Sequence, residues 1–212
     1  MSRYGGLIIA AGNSNRMGSP KAALCYPDGT PFIVKMVEML IQVKCGPVIL
    51  CLPDNANKPA FKRLLYPYPV QICFNDKPEY QQIGSILSGL KQCSTNLPGL
   101  LVWPIDAPFA SPTLLELLLK SGAQNSQIGF FAPHYEGRAG HPFLLNRSFL
   151  HHLSNAGAEG GLQKLKKKYP KHIRHLDYNE PRVLCNLNSP EDYLAAFNQA
   201  PIFLPLSPYF VS

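Results

Sequence analysis

LIIAAGNSNRMGSPK, residues 7–21, runs from a continuous apolar segment straight into a loop with glycines at Gly12 and Gly18 and fixed positive charge at Arg16 and Lys21. Leu7, Ile8 and Ile9 sit in an apolar run, Gly6 to Ala10, of the kind that forms a strand buried on both faces. A strand that ends in a small-residue, doubly basic loop is equipped for an anion. Small residues at Ala10, Ala11 and Gly12 let backbone N–H groups come close to a base or to phosphates. Arg16 offers a planar fork of donors and Lys21 a mobile point charge, which together suit a triphosphate of charge about −4. The dinucleotide fingerprint G-x-G-x-x-G is absent, because the spacing here is G-x-x-x-x-x-G. The Walker loop is absent too: its lysine follows the second glycine directly, whereas Lys21 comes later than that after Gly18.

Outward from this loop, short apolar runs alternate with segments of helical period. Residues 31–43 space their apolar side chains like a helix, with Pro31 in its first turn. PVILCL (47–52) reads as the next strand, 57–66 as a helix and VQICF (70–74) as a third strand. IGSILSGLKQC (83–93) has helical period, and GLLVWPID (99–106) reads as a fourth strand ended by Pro104 and Asp106. Residues 111–122 open with Ser111 as cap and Pro112 in first position, and close at Gly122. Residues 128–133 and 141–145 are further predicted strands. This order predicts an α/β fold with a mostly parallel sheet and helices on both faces, in which ligands bind at the carboxyl ends of the strands. The basic loop and Asp106 both lie at such ends and are expected to face one crevice. No linker or repeat divides the chain. A single domain is expected over 1–200, followed by a proline- and aromatic-rich tail, 201–212, that is either docked or part of a dimer contact.

The 212 residues are 46% hydrophobic, which suits a globular domain, and carry a formal charge of +7. That charge suits phosphate-bearing ligands or polyanions. No helix-turn-helix, zinc-finger or RNA-binding motif accompanies it, so nucleic acid is not an expected partner. The dense run Lys164, Lys166, Lys167, Lys168 and Lys171 reads as a solvated helix face, with phosphate contact as the alternative. Six cysteines form no C-x-x-C pair and read as reduced, mostly buried thiols. No apolar run nears the roughly 20 residues of a membrane span. The N-terminus lacks a charged segment followed by a long apolar stretch, so the cytoplasm is the expected compartment.

Ala10, Ala11, Gly12, Ser14, Arg16, Met17, Gly18 and Lys21 match the nucleotidyltransferase signature A-A-G-x-S-x-R-M-G-x-x-K at every fixed place. Over roughly residues 5–198 the chain resembles the MobA-like nucleotidyltransferases, specifically the molybdenum cofactor cytidylyltransferase type. FNDKPEYQQIGSILSGL (74–90) is similar to the family's N-x-x-Y…S-L-x-x-G-L segment, WPIDAP (103–108) to its P-x-D-x-P turn, and GRAGHP (137–142) to its G-x-x-G-H-P. The resemblance implies a three-layer, Rossmann-like sheet of the GT-A, nucleotide-diphospho-sugar transferase type. It implies nucleotide binding by Ala10, Ala11, Gly12, Ser14, Arg16, Lys21, Asn75, Ser85 and Gly89, with Arg16, Lys21 and Asp106 catalytic. It places Mg²⁺ on Asp106 with Asn188, and the acceptor against Gly140 and His141. The implied reaction moves a nucleotidyl group from a nucleoside triphosphate to a phosphorylated, molybdopterin-type acceptor and releases pyrophosphate. CTP is the implied donor, since the loop has alanine where the guanylyl branch usually has a second glycine.

Two departures from the family pattern keep alternatives open. Asn186 and Asn188 stand where D-I-D-T-P-E-D has aspartates, so Asn188 keeps a carbonyl oxygen but lacks the charge that holds a metal. Ala158 takes the acidic place in the turn GAEGGL (157–162). A relative that binds nucleotide or cofactor without the reaction, and a transferase acting on a sugar phosphate, both fit these changes. The following Ser189, Pro190 and Asp192 keep the cap, first-position proline and box of a helix start.

Overall fold

The computed structural model describes residues 3–12, 16–54, 57–94, 96–156 and 161–205. Strand β1 (Gly5–Ile9) leads through the basic loop to a single 3-10 turn, Lys21–Ala23, and strand β2 (Leu24–Cys25). Then α1 (Phe32–Gln42), β3 (Val48–Pro53), α2 (Lys58–Leu65), β4 (Val70–Asn75), α3 (Gln81–Leu90), β5 (Gly99–Pro104) and α4 (Pro112–Gln124) continue the alternation expected from the sequence. Beyond them lie β6 (Phe130–Tyr135), β7 (Arg138–Ala139), β8 (Phe143–Asn146), α5 (Arg147–Ala156) and α6 (Gly161–Lys168). β9 (Ile173–Asp177), α7 (Pro190–Phe197) and β10 (Ile202–Phe203) complete the order.

β1 is buried along its whole length because it is central: it pairs in parallel with β3 on one side and β5 on the other. The sheet order is β4-β3-β1-β5-β8-β6, with β7 and β9 both on β6. Alternation along β1 feeds two cores. Ile8 joins Leu50 and Trp103 beneath Phe32, Met36 and Leu118 of α1 and α4. Leu7 and Ile9 join Ile49 and Cys51 beneath Ile83 and Ile86 of α3 and Phe149 and Leu153 of α5. Burying each such Leu, Ile or Phe stabilises the fold by about 1.5–3 kcal/mol. The helices therefore cover both faces, as the sequence pattern demanded.

The predicted caps are present. Ser111 Oγ accepts from Leu114 N at 3.2 Å, and Ser189 and Asp192 close a reciprocal capping box on α7. Boundaries differ in detail. The strand expected over 128–133 begins at Phe130 and runs to Tyr135, and the one expected from 141 begins at Phe143. β8 also runs antiparallel between β5 and β6.

Two features of the second half shape the site. β6 pairs with Ala139 at His134 and with Leu144 at Phe131, so three steps on β6 face five on its antiparallel partner. The two surplus steps fall between Ala139 and Phe143, where Gly140 N still donates to Pro133 O at 2.8 Å and a bulge takes His141 and Pro142 out of the regular ladder. The end of the chain also returns to its beginning. β10 pairs with β2, Leu204 N donates to Ala23 O at 2.7 Å, and Tyr193 Oη donates to Cys25 O at 2.7 Å. The segment expected as a tail is thus docked over 202–204, while residues 206–212 lie outside the described residues. All six cysteines are free thiols, and among the described residues no helix is long and apolar enough to cross a membrane.

Candidate active site

The parallel strands deliver their loops to one rim. Ile105 N donates to Ile9 O at 2.9 Å, so the turn after β5 is fastened to the end of β1. That bond sets Asp106 beside the basic loop. Leu187 N in turn donates to Asp106 O at 2.7 Å and brings the segment before α7 to the same place. The Asp192 carboxylate accepts from Asn188 N at 2.8 Å and Ser189 N at 2.9 Å, so the helix cap also fixes Asn188.

Lys21 stands at the centre. Its Nζ donates to Asp106 Oδ2 at 2.9 Å and to Asn188 Oδ1 at 2.7 Å. The lysine is 7% exposed, which an ammonium tolerates because these oxygens replace part of its water. Asparagine at 188 is therefore a full partner in the site. Its neutral oxygen accepts the ammonium without adding a second negative charge.

A cavity of about 260 Å³ opens here, lined among others by Ala11, Gly12, Lys21, Asn75, Ser85 and Asp106. Asn75 and Ser85 are buried and bonded to each other, Nδ2 to Oγ at 3.2 Å, and Asn75 Oδ1 accepts from Lys77 N at 3.0 Å. Gly84 makes this possible: a Cβ there would collide with the Lys77 carbonyl and stand 2.8 Å from Asn75 Oδ1. The remaining expected nucleotide residues are placed differently. Ala10 is buried and its N–H is already bonded to Cys51 O at 2.8 Å, so it is not free for a phosphate. Gly89 packs on Leu7, whose side chain would lie 2.7 Å from an added Cβ, and it lines neither cavity. Arg16 is exposed and outside the lining of both cavities. Ser14 and Ala158 lie outside the described residues.

A second cavity of about 510 Å³ adjoins the first, and Gln81 and Gln82 line both. Gln81 holds φ at +50°, a backbone state that costs a non-glycine residue about 1–3 kcal/mol. Gly140 and His141, the bulge residues, line the second cavity. A Cβ on Gly140 would strike the Val183 carbonyl, which accepts from His141 N at 2.9 Å. Burial pushes the His141 pKa below its ordinary value; the Asp106 charge opposes this and the Lys166 charge reinforces it. The ring is therefore neutral near pH 7, and Nδ1 is sealed from solvent without a hydrogen-bond partner.

Gln81, Gln82 and Lys166 are lining residues that motif reading did not single out. The two glutamines lay inside a quoted motif without a fixed place in it, and Lys166 was hidden in the lysine run. Among the described residues no three His, Cys, Asp or Glu side chains cluster as a metal centre.

The chain is 28% identical over 190 residues to the molybdenum cofactor guanylyltransferase of Vibrio atlanticus, covering 88% of this chain and 91% of that protein. It is 29% identical to a Rhodopirellula baltica protein named "Probable molybdenum cofactor guanylyltransferase", over 49% of this chain and 48% of the relative, about half of its length. Its fold is similar to that of Rv0371c from Mycobacterium tuberculosis H37Rv, with a TM-score of 0.77, 22% identity, and coverage of 94% and 100% of the two chains. The sequence profile of the MobA-like NTP transferase domain matches residues 6–174. With the basic loop, the Asp106 turn and the Gly140–His141 bulge all inside that match, the chain belongs to the MobA-like NTP transferase family.

Proposed function

We propose that this protein transfers a guanylyl group from GTP to the phosphate of a molybdopterin-type acceptor and releases pyrophosphate. Lys21 carries the reading: it is a buried ammonium between Asp106 and Asn188, lining a cavity that adjoins a second, larger one. Family membership supports nucleotidyl transfer. The relatives support guanylyl over the cytidylyl group expected from the first loop, since those reported above are named as guanylyltransferases.

The chemistry asks little of a general base, because an acceptor phosphate is already ionised near neutrality. One of its oxygens attacks the α-phosphorus of GTP. A new P–O bond forms as the bond to the bridging oxygen breaks, and pyrophosphate leaves with the electron pair. Catalysis is then positioning plus charge stabilisation. Lys21 neutralises charge on the phosphates, and Asn75 with Ser85 offers hydrogen bonds deeper in the same cavity. Asp106, with Asn188 beside it, would hold Mg²⁺ in exchange for the Lys21 ammonium that both oxygens accept here, one charged and one neutral oxygen being a donor pair that suits the ion. When bound, the metal supplies further charge neutralisation at the phosphates.

Thermal stabilisation by GTP, CTP, ATP and UTP, each with and without Mg²⁺, tests the reading. A ligand at about 100 times its Kd adds about 2.7 kcal/mol. GTP is expected to raise the melting temperature most, and more so with Mg²⁺. Selective stabilisation by CTP would return the donor to cytidine. Stabilisation without Mg²⁺ dependence would favour the relative that binds nucleotide without reacting, and no effect of any nucleotide would overturn the transfer reading.

A further inference from the structure

Lys166 stands apart from the rest of the lysine run. Lys164, Lys167 and Lys168 are exposed, whereas Lys166 is partly buried and lines the larger cavity beside His141. Its Nζ lies 5.0 Å from the centroid of the Phe130 ring. Phe130 stacks on Phe143 at 5.2 Å, and His141 leans on Phe143 at 5.9 Å. A cation and a neutral imidazole thus flank an apolar floor of two rings.

Among the described residues no carboxylate forms an ion pair with Lys166. Glu79 lines the same cavity, but it is exposed and unpaired with the lysine. Desolvation lowers the Lys166 pKa, the mark of an ammonium that has lost water and gained no counter-ion. His141 adds a buried ring nitrogen without a partner. That nitrogen is sealed from solvent, so the group an anion would complete is the Lys166 ammonium, which lines the cavity without a carboxylate partner among the described residues. Gln81 and Gln82 line both cavities, so the anion would lie beside the cavity that holds Lys21 and Asp106.

We infer that Lys166 is the anion anchor of the acceptor cavity and grips a phosphate monoester, with His141 beside it and the body of the ligand over the Phe130–Phe143 floor. This deepens the transfer reading by assigning the residue that orients the attacking phosphate. The lysine run is then functionally divided, one member gripping ligand while its neighbours face solvent.

The test uses inorganic phosphate as probe, followed by calorimetry and ³¹P NMR, on the wild type, Lys166→Met, Lys166→Arg and Lys167→Met. Each is measured with the nucleotide cavity empty and filled with GTP and Mg²⁺. Phosphate should bind the wild type in both states, weaken at least tenfold in Lys166→Met, stay within threefold in Lys166→Arg and be unchanged in Lys167→Met. Phosphate binding in Lys166→Met equal to the wild type would overturn the assignment, as would no phosphate binding by the wild type. Displacement of phosphate by GTP would also overturn it, by placing the anion where the triphosphate sits. If GTP failed to bind while the phosphate pattern held, the anchor would stand and the guanylyl reading would fall.

Discussion

Replacing Lys21 with Met removes the ammonium while keeping most of the side chain's volume, and so isolates the charge between Asp106 and Asn188. Exposed ion pairs contribute about 0.2–1 kcal/mol, and breaking a buried pair costs about 3–5 kcal/mol. Here the lysine side chain is 8% exposed and the Asp106 side chain 26%, so the abandoned carboxylate regains some water but not all. The expected loss is about 2 kcal/mol, between those limits, which for a chain of this size lowers Tm by about 4–8 °C. Asp106→Asn in the Lys21→Met background removes the stranded charge. The two changes should therefore couple by about 1–2 kcal/mol in a double-mutant cycle. Urea denaturation read by tryptophan fluorescence suits the measurement, because Trp103 is the one tryptophan of the chain, is fully buried, and donates to Ala107 O at 2.8 Å next to the site. Additivity of the two changes within about 0.5 kcal/mol would refute the pairing argued here. In turnover, Lys21→Met should also slow transfer by about 10²–10³-fold, the usual loss for a donor aimed at developing charge.

Two other outcomes follow from the same geometry. Gly84→Ala drives a methyl into the fixed Lys77 carbonyl, so it should destabilise by about 1–3 kcal/mol and weaken GTP binding through Asn75; melting curves equal to wild type with and without GTP would reject the close contact. Burial holds the folded-state pKa of His141 below its ordinary value of 6.5, so unfolding takes up a proton and its stability contribution, complete above that value, is lost as pH falls below it. This single group adds a slope of at most about 1.4 kcal/mol per pH unit, and His141→Asn should flatten the decline between pH 7 and 5; an unaltered slope would remove His141 from the account.

Much of the first half was legible because local and global signals agree there. The β1 run is apolar throughout since it is central in a parallel sheet, and the periodic segments between strands could only be covering helices. Asp106 was found for the same reason, lying just past a strand end. The second half gave less. FLLN carries no sign of direction, so the antiparallel insertion of β8 could not be read, and neither could the bulge that presents His141. Partnerships across 85 and 167 residues, which join Lys21 to Asp106 and Asn188, leave no local trace. For that reason asparagine at 188 read only as a metal residue without its charge, and its hydrogen bond to the site's lysine went unforeseen. Gly89 and Ala10 matched a pattern whose glycine and alanine also serve packing and sheet hydrogen bonding. The lean to CTP rested on the first loop alone, its alanines and the lack of an acidic residue before the lysine, too little to set a base preference.

The return of α7 and β10 to the Lys21 turn has a consequence for when the site comes into being. Tyr193 and Cys25, joined by a hydrogen bond, are 168 residues apart in the chain. During synthesis the parallel core from β1 to β5 can assemble while the partners that steady the lysine, Asn188 among them, are still to be made. A chain halted before α7 would hold the strands and most of the nucleotide cavity, but its lysine would lack the oxygen of Asn188 and the backing of the last strand. The full set of partners around the lysine thus arrives late in the birth of the molecule.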